Sequence, residues 1–307
     1  MKPTVIVICG PTASGKTALS IELAKRIDGE IISADSMQIY QGMDIGSAKV
    51  TEKERQGIQH YLIDILSPEE RYSVADFKRD AKQAIENILA KGKTPIVVGG
   101  TGLYINALIY EIDYQDIPMD KDYREQLQRM EREQGLEALY QKALEIDPEA
   151  MQKISSNDAK RIMRILEIYK ATGKTKTEQE QESRKNEVPY NYKVFVIDME
   201  RDVLYSRINQ RVDGMIEEGL VEEVEGLLQK YKTFPTAMQA IGYKEVRAFL
   251  QNQLSREEMI ETIKQETRRY AKRQLTWFRK DKQFIWLDGL KSTNENIDII
   301  LEESHIE

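Results

Sequence analysis

Cysteine, histidine and long apolar runs are nearly missing from this chain of 307 residues. The single cysteine, Cys9, excludes an internal disulfide and a cysteine-rich metal site, and it favours a reducing compartment, the cytoplasm. His60 and His305 lie too far apart in sequence to suggest a pair of metal ligands. No run of about 18 apolar residues occurs, so no membrane-spanning helix is expected. The apolar run at residues 4–9 lacks a following cleavage site, which indicates a strand and not a signal peptide.

The apolar runs of the chain predict an α/β fold with a parallel sheet. Five runs have the composition of buried strands: residues 4–9, 30–35, 94–98, 193–198 and 284–287. Helical patterns separate the first three runs, and this alternation is typical of a P-loop NTPase-like parallel sheet that is flanked by helices. Further helices are expected over three ranges: residues 202–230, 242–251 and 256–280.

The middle of the chain, residues 119–173, has helical periodicity only, and Asn157 is expected to cap one of its helices. Residues 174–191 are polar and aperiodic, so we interpret them as a loose connection. The length suits about two domains. The predicted domains are a catalytic α/β core of residues 1–112 and 192–307 with C-terminal helices, and an all-helical insertion domain of residues 113–191.

A phosphate-binding pattern lies between the first predicted strand and the helix that follows it. This phosphate loop reads Gly10-Pro11-Thr12-Ala13-Ser14-Gly15-Lys16-Thr17 and fits G-x-x-x-x-G-K-[ST]. Its glycines allow backbone N–H groups to surround an anion at the positive end of the next helix. Lys16 supplies a mobile charge, and the Thr17 hydroxyl is a ligand for Mg²⁺. We therefore expect a diphosphate or triphosphate, including ATP, to bind to the phosphate loop.

The phosphate loop alone leaves the reaction open. A nucleotide kinase, an NTPase and a transferase that releases pyrophosphate all neutralise charge on phosphate oxygens in the same way. Asp35 follows the second predicted strand and is expected at the ligand-binding edge of the sheet, as a general base or as a water-mediated Mg²⁺ ligand. An Asn-Lys-x-Asp element is missing, which argues against a GTPase.

Several blocks of sequence, taken together, are more specific than the phosphate loop. In chain order they are the phosphate loop, Asp35–Lys49, Gly99–Tyr104, Asn157–Glu167, Arg211–Leu220, Ala240–Glu245 and Thr267–Trp277. In this order they resemble the tRNA dimethylallyltransferase family of bacterial type, over residues 4 to about 287. Two features depart from the family pattern: Ser47 stands where threonine is commoner, and residues 240–244 are less basic.

The resemblance implies that a dimethylallyl group is transferred from dimethylallyl diphosphate to N6 of adenosine 37, next to the tRNA anticodon. Pyrophosphate would be released, and Mg²⁺ would be required. The resemblance further implies that Asp35 is the base toward the N6 amino group, with Thr101 as its partner at the target adenine. Lys16, Thr17 and Arg211 would serve the pyrophosphate and the metal, with Thr17 as the metal ligand.

The resemblance also implies two sets of binding residues. The diphosphate or nucleotide would be held by Gly10, Pro11, Thr12, Ala13, Ser14, Gly15, Lys16 and Thr17. The tRNA anticodon stem-loop would be held by Asp35, Ser36, Met37, Gln38, Thr101, Ala159, Lys160, Arg161, Ile162, Met163, Gly242, Tyr243, Lys244, Arg268, Arg269 and Arg273. The helical insertion would therefore contact tRNA, and the protein is expected to act as a monomer without a membrane partner.

Charge is distributed unevenly along the chain. The 45 basic and 52 acidic residues give a net charge of −7, which by itself argues against a polyanion-binding protein. Residues 264–282, however, carry a local +6 with interleaved aromatic residues, and residues 153–185 carry +4, which leaves −17 on the rest. Each run alone is compatible with a solvated helix face. Two such runs beside a phosphate loop favour an RNA-binding cleft.

Three alternatives to a tRNA modifier stay open on the sequence. An isopentenyltransferase that acts on a free adenine nucleotide would use the same chemistry without the helical insertion. A P-loop small-molecule kinase would share the phosphate loop and an inserted domain. A non-catalytic RNA-binding module is the weakest alternative, because Lys16, Thr17 and Asp35 are all present.

Overall fold

A single parallel sheet organises the part of the chain that the computed structural model describes, residues 2–114 and 120–306. Its six strands are β1 (Thr4–Cys9), β2 (Gly29–Ser33), β3 (His60–Tyr61), β4 (Thr94–Gly99), β5 (Asn191–Asp198) and β6 (Ile285–Asp288). Their order across the sheet is β3-β2-β4-β1-β5-β6, and each neighbouring pair is parallel. The predicted α/β class with a parallel sheet is confirmed. The two-residue strand β3 was not predicted.

The register of the sheet brings the predicted site segments to one edge. Cys9 pairs with Gly99 of β4 on one side and with Val196 of β5 on the other. Ser33 at the end of β2 pairs with Val98. Because the strands are parallel, the segments that follow β1, β2 and β4 all leave the sheet at its carboxyl edge, where open α/β sheets bind ligands.

Fourteen α-helices and one 3-10 helix accompany the sheet in the described residues. Those before residue 115 are α1 (Lys16–Arg26), α2 (Glu52–Arg55), α3 (Val74–Ala90) and α4 (Gly102–Ile109). Those between residues 120 and 190 are α5 (Lys121–Gln134), α6 (Leu136–Ile146), α7 (Pro148–Met151), α8 (Ala159–Thr172) and α9 (Lys176–Ser183). The last group is α10 (Arg201–Glu217), α11 (Leu220–Lys230), the 3-10 helix (Ala237–Gln239), α12 (Tyr243–Leu250), α13 (Arg256–Phe278) and α14 (Thr293–Ser304).

The chain forms two compact units. The core unit consists of Met1–Ile105 and Pro189–Glu307, and the helical unit consists of Asn106–Val188. In the core unit, the β1 residues Val5 to Cys9 are fully buried, as expected for a strand covered on both faces. Their neighbours on one face include Leu19 and Leu23 of α1, whose spacing of four residues places both on one side of that helix.

The helical unit has a hydrophobic core of its own. Leu127 of α5, Leu139 of α6 and Leu166 of α8 pack together and are almost completely buried. The structure describes no strand between residues 120 and 188, in agreement with the helical periodicity. The predicted helical stretch begins at Met119, which lies outside the described residues.

The predicted loose connection over residues 174–191 is wrong, because helix α9 lies within it and β5 begins at Asn191. Helix α9 is stabilised by side-chain hydrogen bonds and not by the packing of an apolar face. Thr175 and Glu178 form a reciprocal capping box at its start. Asp147 also accepts hydrogen bonds from the Thr177 N–H at 3.0 Å and the Thr177 hydroxyl at 2.6 Å.

Two helix boundaries also differ from the predictions. The expected helix over 202–230 is two helices, because the chain takes a left-handed conformation at Gly219, with φ of 101°. The cap of α8 is Asp158 and not Asn157, since the Asp158 carboxylate accepts the Arg161 N–H at 3.1 Å. Within the described part of the chain, no helix is long and apolar enough to cross a membrane.

Candidate active site

The phosphate loop joins β1 to α1 in the conformation that an anion cradle needs. Gly15 precedes α1 with a positive φ of 92°, and it gives the helix no side-chain cap. The first N–H groups of α1 are therefore directed to whatever lies in the loop. At Gly10, a Cβ atom would lie 3.0 Å from the Ile197 carbonyl oxygen, so the close approach to β5 favours glycine there.

Lys16 lies over the phosphate loop and is partly withdrawn from water. Its Nζ donates a hydrogen bond to the Pro11 carbonyl at 2.5 Å. Burial lowers the pKa of Lys16 to about 8, and the positive charge of Arg211 acts in the same direction, while Asp35 and Cys9 oppose it. An ammonium group in this setting gains from a bound anion, because the anion replaces the lost solvation.

Two further groups favour a phosphate ligand in the loop. The Ser14 hydroxyl is buried and has no hydrogen-bond partner among the residues that the structure describes. Arg211 of α10 reaches the loop from the side, where its Nη1 donates to the Thr12 hydroxyl at 3.4 Å. A buried polar atom without a partner indicates a missing ligand, and phosphate oxygens fit both groups. Cys9 is fully buried with its pKa raised to about 12, so its thiol is not a nucleophile.

Asp35 lies two residues beyond the end of β2, at the same edge of the sheet. Its carboxylate accepts the Met37 N–H at 2.8 Å, which fixes the side chain in an Asx turn. Burial raises the pKa of Asp35, whereas the Met37 N–H and the charge of Lys16 oppose that rise. Because burial raises the pKa of its carboxyl group, Asp35 is a stronger base than a solvated aspartate, and it can accept a proton from a bound group.

Thr101 faces the turn that carries Asp35. Its hydroxyl accepts the Ser36 N–H at 3.3 Å, and its own N–H donates to the Ala34 carbonyl at 3.3 Å. Tyr270 of α13 is in hydrogen-bond contact with Thr101, and burial together with the charge of Asp35 raises the pKa of Tyr270 to about 12. The Tyr270 hydroxyl therefore stays protonated. The structure thus brings together Lys16, Asp35, Thr101 and Arg211, all of which were predicted site residues.

The segment that follows Asp35 is held by contacts that the sequence did not indicate. Glu223 of α11 accepts the backbone N–H groups of Asp44, Ile45 and Gly46 at 2.9, 2.7 and 3.2 Å. Gln38, a predicted nucleotide contact, is occupied locally. Its Oε1 accepts the Ser33 hydroxyl at 2.9 Å, and its Nε2 donates to two backbone carbonyls.

Gln274, like Glu223, is not among the residues that the sequence predicted for the site. It lies in the block of residues 267–277, in which the predicted tRNA contacts are Arg268, Arg269 and Arg273. Its side chain is 6% exposed and contacts both the phosphate loop and the segment that follows β4. An uncharged polar residue on the buried side of an otherwise basic helix is the signal that was available.

The site fits a Mg²⁺ ion that is held mainly by a substrate. No group of three or more His, Cys, Asp or Glu side chains that could hold a metal occurs in residues 2–114 and 120–306. Mg²⁺ commonly uses one or two protein ligands together with waters and substrate phosphates. The exposed Thr17 hydroxyl at the start of α1 and the Asp35 carboxylate satisfy that requirement.

The predicted tRNA contacts at residues 159–163 lie in the first turns of α8, in the helical unit. Ile162 and Met163 are 0% and 3% exposed and belong to the core of that unit. Their side chains are therefore unavailable to a ligand, and only their backbone remains as a contact. Ala159 is half-buried, whereas Lys160 and Arg161 are exposed.

The other predicted tRNA contacts differ in exposure and in whether the protein already supplies their partners. Tyr243 is fully buried, and its hydroxyl donates a hydrogen bond to Glu223 at 2.7 Å. Gly242 is the N-cap residue of α12, and Lys244 is exposed. Arg268 is bound to Asn209 at 2.7 Å and to Glu261 at 2.9 Å. The exposed cations of this set on α13 are Arg269, which pairs with Glu266 at 2.6 Å, and Arg273, which lies over the Tyr270 ring.

A cavity of about 750 Å³ opens beside β5 and β6, in the core unit. Its lining includes Asp198, Arg201, Lys272, Arg279 and Trp286. The lining contains none of the predicted site residues. Several of its charges are satisfied internally, as in the pair between Arg279 Nη2 and Asp198 Oδ2 at 3.1 Å.

Comparison with known proteins gives a consistent set of relatives. The family model described as IPP transferase matches residues 38–281. The tRNA dimethylallyltransferase of Acetivibrio thermocellus is 52% identical over 285 residues, which cover 92% of this chain and 91% of the relative. The tRNA dimethylallyltransferase of Halalkalibacterium halodurans is 48% identical over 305 residues, which cover 99% and 96%.

Solved structures agree with these relatives. The full-length tRNA isopentenylpyrophosphate transferase of Bacillus halodurans superposes with a TM-score of 0.74 at 44% identity, and the match covers 99% of this chain and 97% of that chain. A eukaryotic dimethylallyltransferase, whose structures are described as snapshots of the enzyme acting on tRNA, gives a TM-score of 0.82 at 30% identity. That match covers 99% of this chain and 80% of the eukaryotic one.

Proposed function

This chain belongs to the IPP transferase family, and from that premise we propose that it transfers a dimethylallyl group from dimethylallyl diphosphate to N6 of adenosine 37 in tRNA. The resemblance read from the sequence and the transferase class are confirmed by the same relatives. One observation carries the proposal: the phosphate loop with its cation Lys16 and the turn with the base Asp35 leave the sheet at the same carboxyl edge.

The phosphate loop and its cations stabilise pyrophosphate as the leaving group. The bond between the allylic carbon and the diphosphate oxygen breaks, and the electron pair leaves with pyrophosphate. Lys16, Arg211 and the first N–H groups of α1 face the loop and stabilise the negative charge that develops on those oxygens. The allylic group ionises readily, so carbon carries positive character in the transition state.

Asp35 and Thr101 act on the acceptor, the exocyclic amine of adenine. The exocyclic amine of adenine is a weak nucleophile, and it must lose a proton when the new N–C bond forms. The Asp35 carboxylate, whose pKa is raised by burial, accepts that proton. Thr101, whose hydroxyl accepts the Ser36 N–H, would orient the adenine beside Asp35. Pyrophosphate leaves, and the proton is later released to solvent.

We further propose that Mg²⁺ accompanies the diphosphate and supplies Lewis-acid neutralisation of its charge when bound. Thr17 would hold the ion, with Asp35 through water. The residues present suit this role, because the site has an exposed hydroxyl and a carboxylate and leaves the remaining positions to phosphate and water.

The RNA has to present the adenine outside its stack. A base inside the anticodon loop cannot reach a carboxylate at a sheet edge unless it is extruded, which single-stranded loops allow at moderate cost. The exposed cations Arg269 and Arg273 of α13, and Lys160 and Arg161 of the helical unit, would contact the phosphates of the stem-loop. We propose that the protein acts as a monomer in the cytoplasm, where tRNA is found.

The proposal is tested by supplying the purified protein with radiolabelled dimethylallyl diphosphate, Mg²⁺ and an anticodon stem-loop that carries adenosine at position 37. We expect label in the RNA and an equal amount of pyrophosphate. A matched stem-loop with inosine at position 37 lacks the amine and should stay unlabelled. Free AMP should be a much poorer acceptor than the stem-loop.

Two outcomes would overturn the proposal in distinguishable ways. Preferential labelling of AMP would identify an isopentenyltransferase for free nucleotides. Conversion of ATP to ADP with a phosphorylated small molecule, and without prenyl transfer, would identify a kinase that uses the same phosphate loop.

A further inference from the structure

The side-chain amide of Gln274 connects two segments of the site that are far apart in sequence. Its Oε1 accepts the Thr12 N–H of the phosphate loop at 3.0 Å. Its Nε2 donates to the Gly100 carbonyl at 3.0 Å, across a separation of 174 residues. Gln274 lies on α13 and is 6% exposed, so both hydrogen bonds are shielded from water. Shielded bonds of this kind fix geometry, because losing either leaves a buried group unpaired.

The two contacts require opposite polarity from one side chain. The Thr12 N–H needs an acceptor and the Gly100 carbonyl needs a donor, and an amide provides both from one planar group. The space around it is closed. A Cβ atom at Gly100 would lie 2.0 Å from Nε2 of Gln274, so position 100 has no room for a side chain while the amide is in place.

Each contacted segment carries one half of the proposed chemistry. Thr12 belongs to the phosphate loop, where its hydroxyl accepts Arg211 at 3.4 Å. Gly100 precedes Thr101, whose hydroxyl accepts the Ser36 N–H beside Asp35. The amide of Gln274 therefore sets the separation between the diphosphate cradle and the turn that carries the base.

From this geometry we infer that Gln274 is a positioning residue, which holds the phosphate loop and the Thr101 turn at the spacing that transfer requires. The catalytic part of this inference, the effect of the spacing on transfer, rests on the proposed function. The spacing itself also affects a simpler event, the binding of inorganic pyrophosphate to the phosphate loop, which needs neither RNA nor transfer.

The charged and titratable surroundings of this amide come from four elements. Tyr270 lies one turn earlier on α13 and is in hydrogen-bond contact with Gln274. Arg211 of α10 contacts Thr12, and Lys16 and Asp35 lie at the phosphate loop and the end of β2. A carboxyl group placed at position 274 would be buried and exposed to the charge of Asp35. Burial and the charge of Asp35 would raise its pKa above the ordinary glutamate value, against the opposing charges of Lys16 and Arg211, as burial does at Asp35 itself.

The test is the isosteric variant Q274E, measured as a ratio to the wild type at each pH from 5.5 to 8, which removes the pH dependence that the two proteins share. When ionised, the new carboxylate still accepts the Thr12 N–H, but it places a second oxygen against the Gly100 carbonyl. We expect pyrophosphate affinity and kcat/KM to fall about 10-fold or more at pH 8. As the pH falls, the protonated carboxyl can donate to Gly100, and both ratios should recover.

Q274M is the matched control, because it keeps the volume and cannot form either hydrogen bond. Its ratios should be low and independent of pH. G100A disrupts the same contact, because it adds a methyl group next to the Gln274 amide. It should show a similar loss of pyrophosphate affinity and kcat/KM. If Q274E does not fold at pH 8, the pyrophosphate affinities of Q274M and G100A test the positioning role of Gln274.

Wild-type pyrophosphate affinity and kcat/KM in Q274M would overturn the inference, as would a pH-independent ratio in folded Q274E. Failure of the proposed function is distinguishable, since the wild type would then bind pyrophosphate without labelling RNA.

Discussion

Glu223 accepts a hydrogen bond from the Tyr243 hydroxyl at 2.7 Å, and the same carboxylate accepts three consecutive backbone N–H groups from residues 44–46. One side chain on α11 thus holds the segment that follows Asp35. The Tyr243 ring completes the contact, since a Cβ atom at Gly46 would lie 2.4 Å from it. The position of residues 44–46 is therefore determined by residues almost 200 positions later in the chain.

Replacement of Glu223 by alanine should destabilise the protein by about 2 to 3 kcal/mol, because three backbone donors and one hydroxyl lose their acceptor. Y243F removes one hydrogen bond and should cost about 1 kcal/mol. The neighbouring Glu222 is exposed, so E222A is a matched control with an effect within about 0.5 kcal/mol. Urea unfolding measures all three variants. Equal midpoints for E223A and E222A would show that the carboxylate is dispensable.

Loss of the Asp35 carboxylate should affect turnover and leave binding largely intact. D35N keeps the shape of the side chain but accepts no proton, so we expect kcat to fall about 10²-fold or more. Burial raises the pKa of Asp35, and the active form is the deprotonated one, so wild-type kcat/KM should decline as pH falls through a pKa above the ordinary aspartate value. D28N, at an exposed carboxylate paired with Lys93 at 3.1 Å, is the control. Normal turnover in D35N would remove Asp35 as the base.

Pyrophosphate affinity should depend on pH through Lys16. The pKa of Lys16 is lowered to about 8, and only the protonated ammonium attracts the anion. Binding therefore takes up a proton near that pH, and the dissociation constant should rise by up to about 10-fold per pH unit above it. Isothermal titration between pH 7 and 9 measures this. K16R keeps its charge over the whole range and corrects for the titration of pyrophosphate, so parallel curves for the two proteins would contradict the assignment.

The exposed cations of α13 should contribute to the salt dependence of RNA binding. R269A/R273A removes two charges without disturbing Arg268, which is engaged by Asn209 and Glu261. Two lost phosphate contacts should reduce the magnitude of the slope of log K against log salt by about 1.4 to 1.8. K25A/R26A removes two charges at the opposite end of α1 from the phosphate loop and should leave the slope unchanged. Binding of a labelled stem-loop at several salt concentrations separates the two variants.

The parts of the fold that could be predicted are those that local pattern determines. The β-branched run of β1 and the phosphate loop follow from residues that are adjacent in sequence. Helix α9 could not be predicted from periodicity, because its caps and the contact with Asp147 hold a segment that is polar on every side. Strand β3 has only two residues and leaves no pattern to detect.

Glu223 and Gln274, which support the site, could not be predicted from the sequence for a different reason. They act through partners 178 and 174 residues away, and the sequence around them does not reveal those partners. Ile162 and Met163 show the converse. Family resemblance placed them at an RNA surface, whereas the apolar stripe of α8 places their side chains in the core of the helical unit. A block of sequence combines contact and packing residues, and only three-dimensional structure separates them.

Glycine at position 99 is required by a backbone contact at the carboxyl edge of the sheet. A Cβ atom there would lie 2.2 Å from the Ala34 carbonyl oxygen and 2.5 Å from its carbon. Backbone atoms in a central strand pair cannot move aside as a flexible side chain can, so G99A should destabilise the protein by about 3 kcal/mol. It should also lower activity, because Ala34 directly precedes Asp35.

Gly214 in the interior of α10 provides the opposite case, since outside the helix's own backbone no atom of the described residues lies within 4 Å of a Cβ at that position. G214A should stabilise the protein by about 0.5 to 1 kcal/mol, because alanine restricts the unfolded chain and favours the helix. Urea unfolding with equal m-values compares the two variants directly. A neutral G99A would mean that the strands β2 and β4 can separate beside Asp35, and the rigid spacing on which the proposed base depends would then be lost.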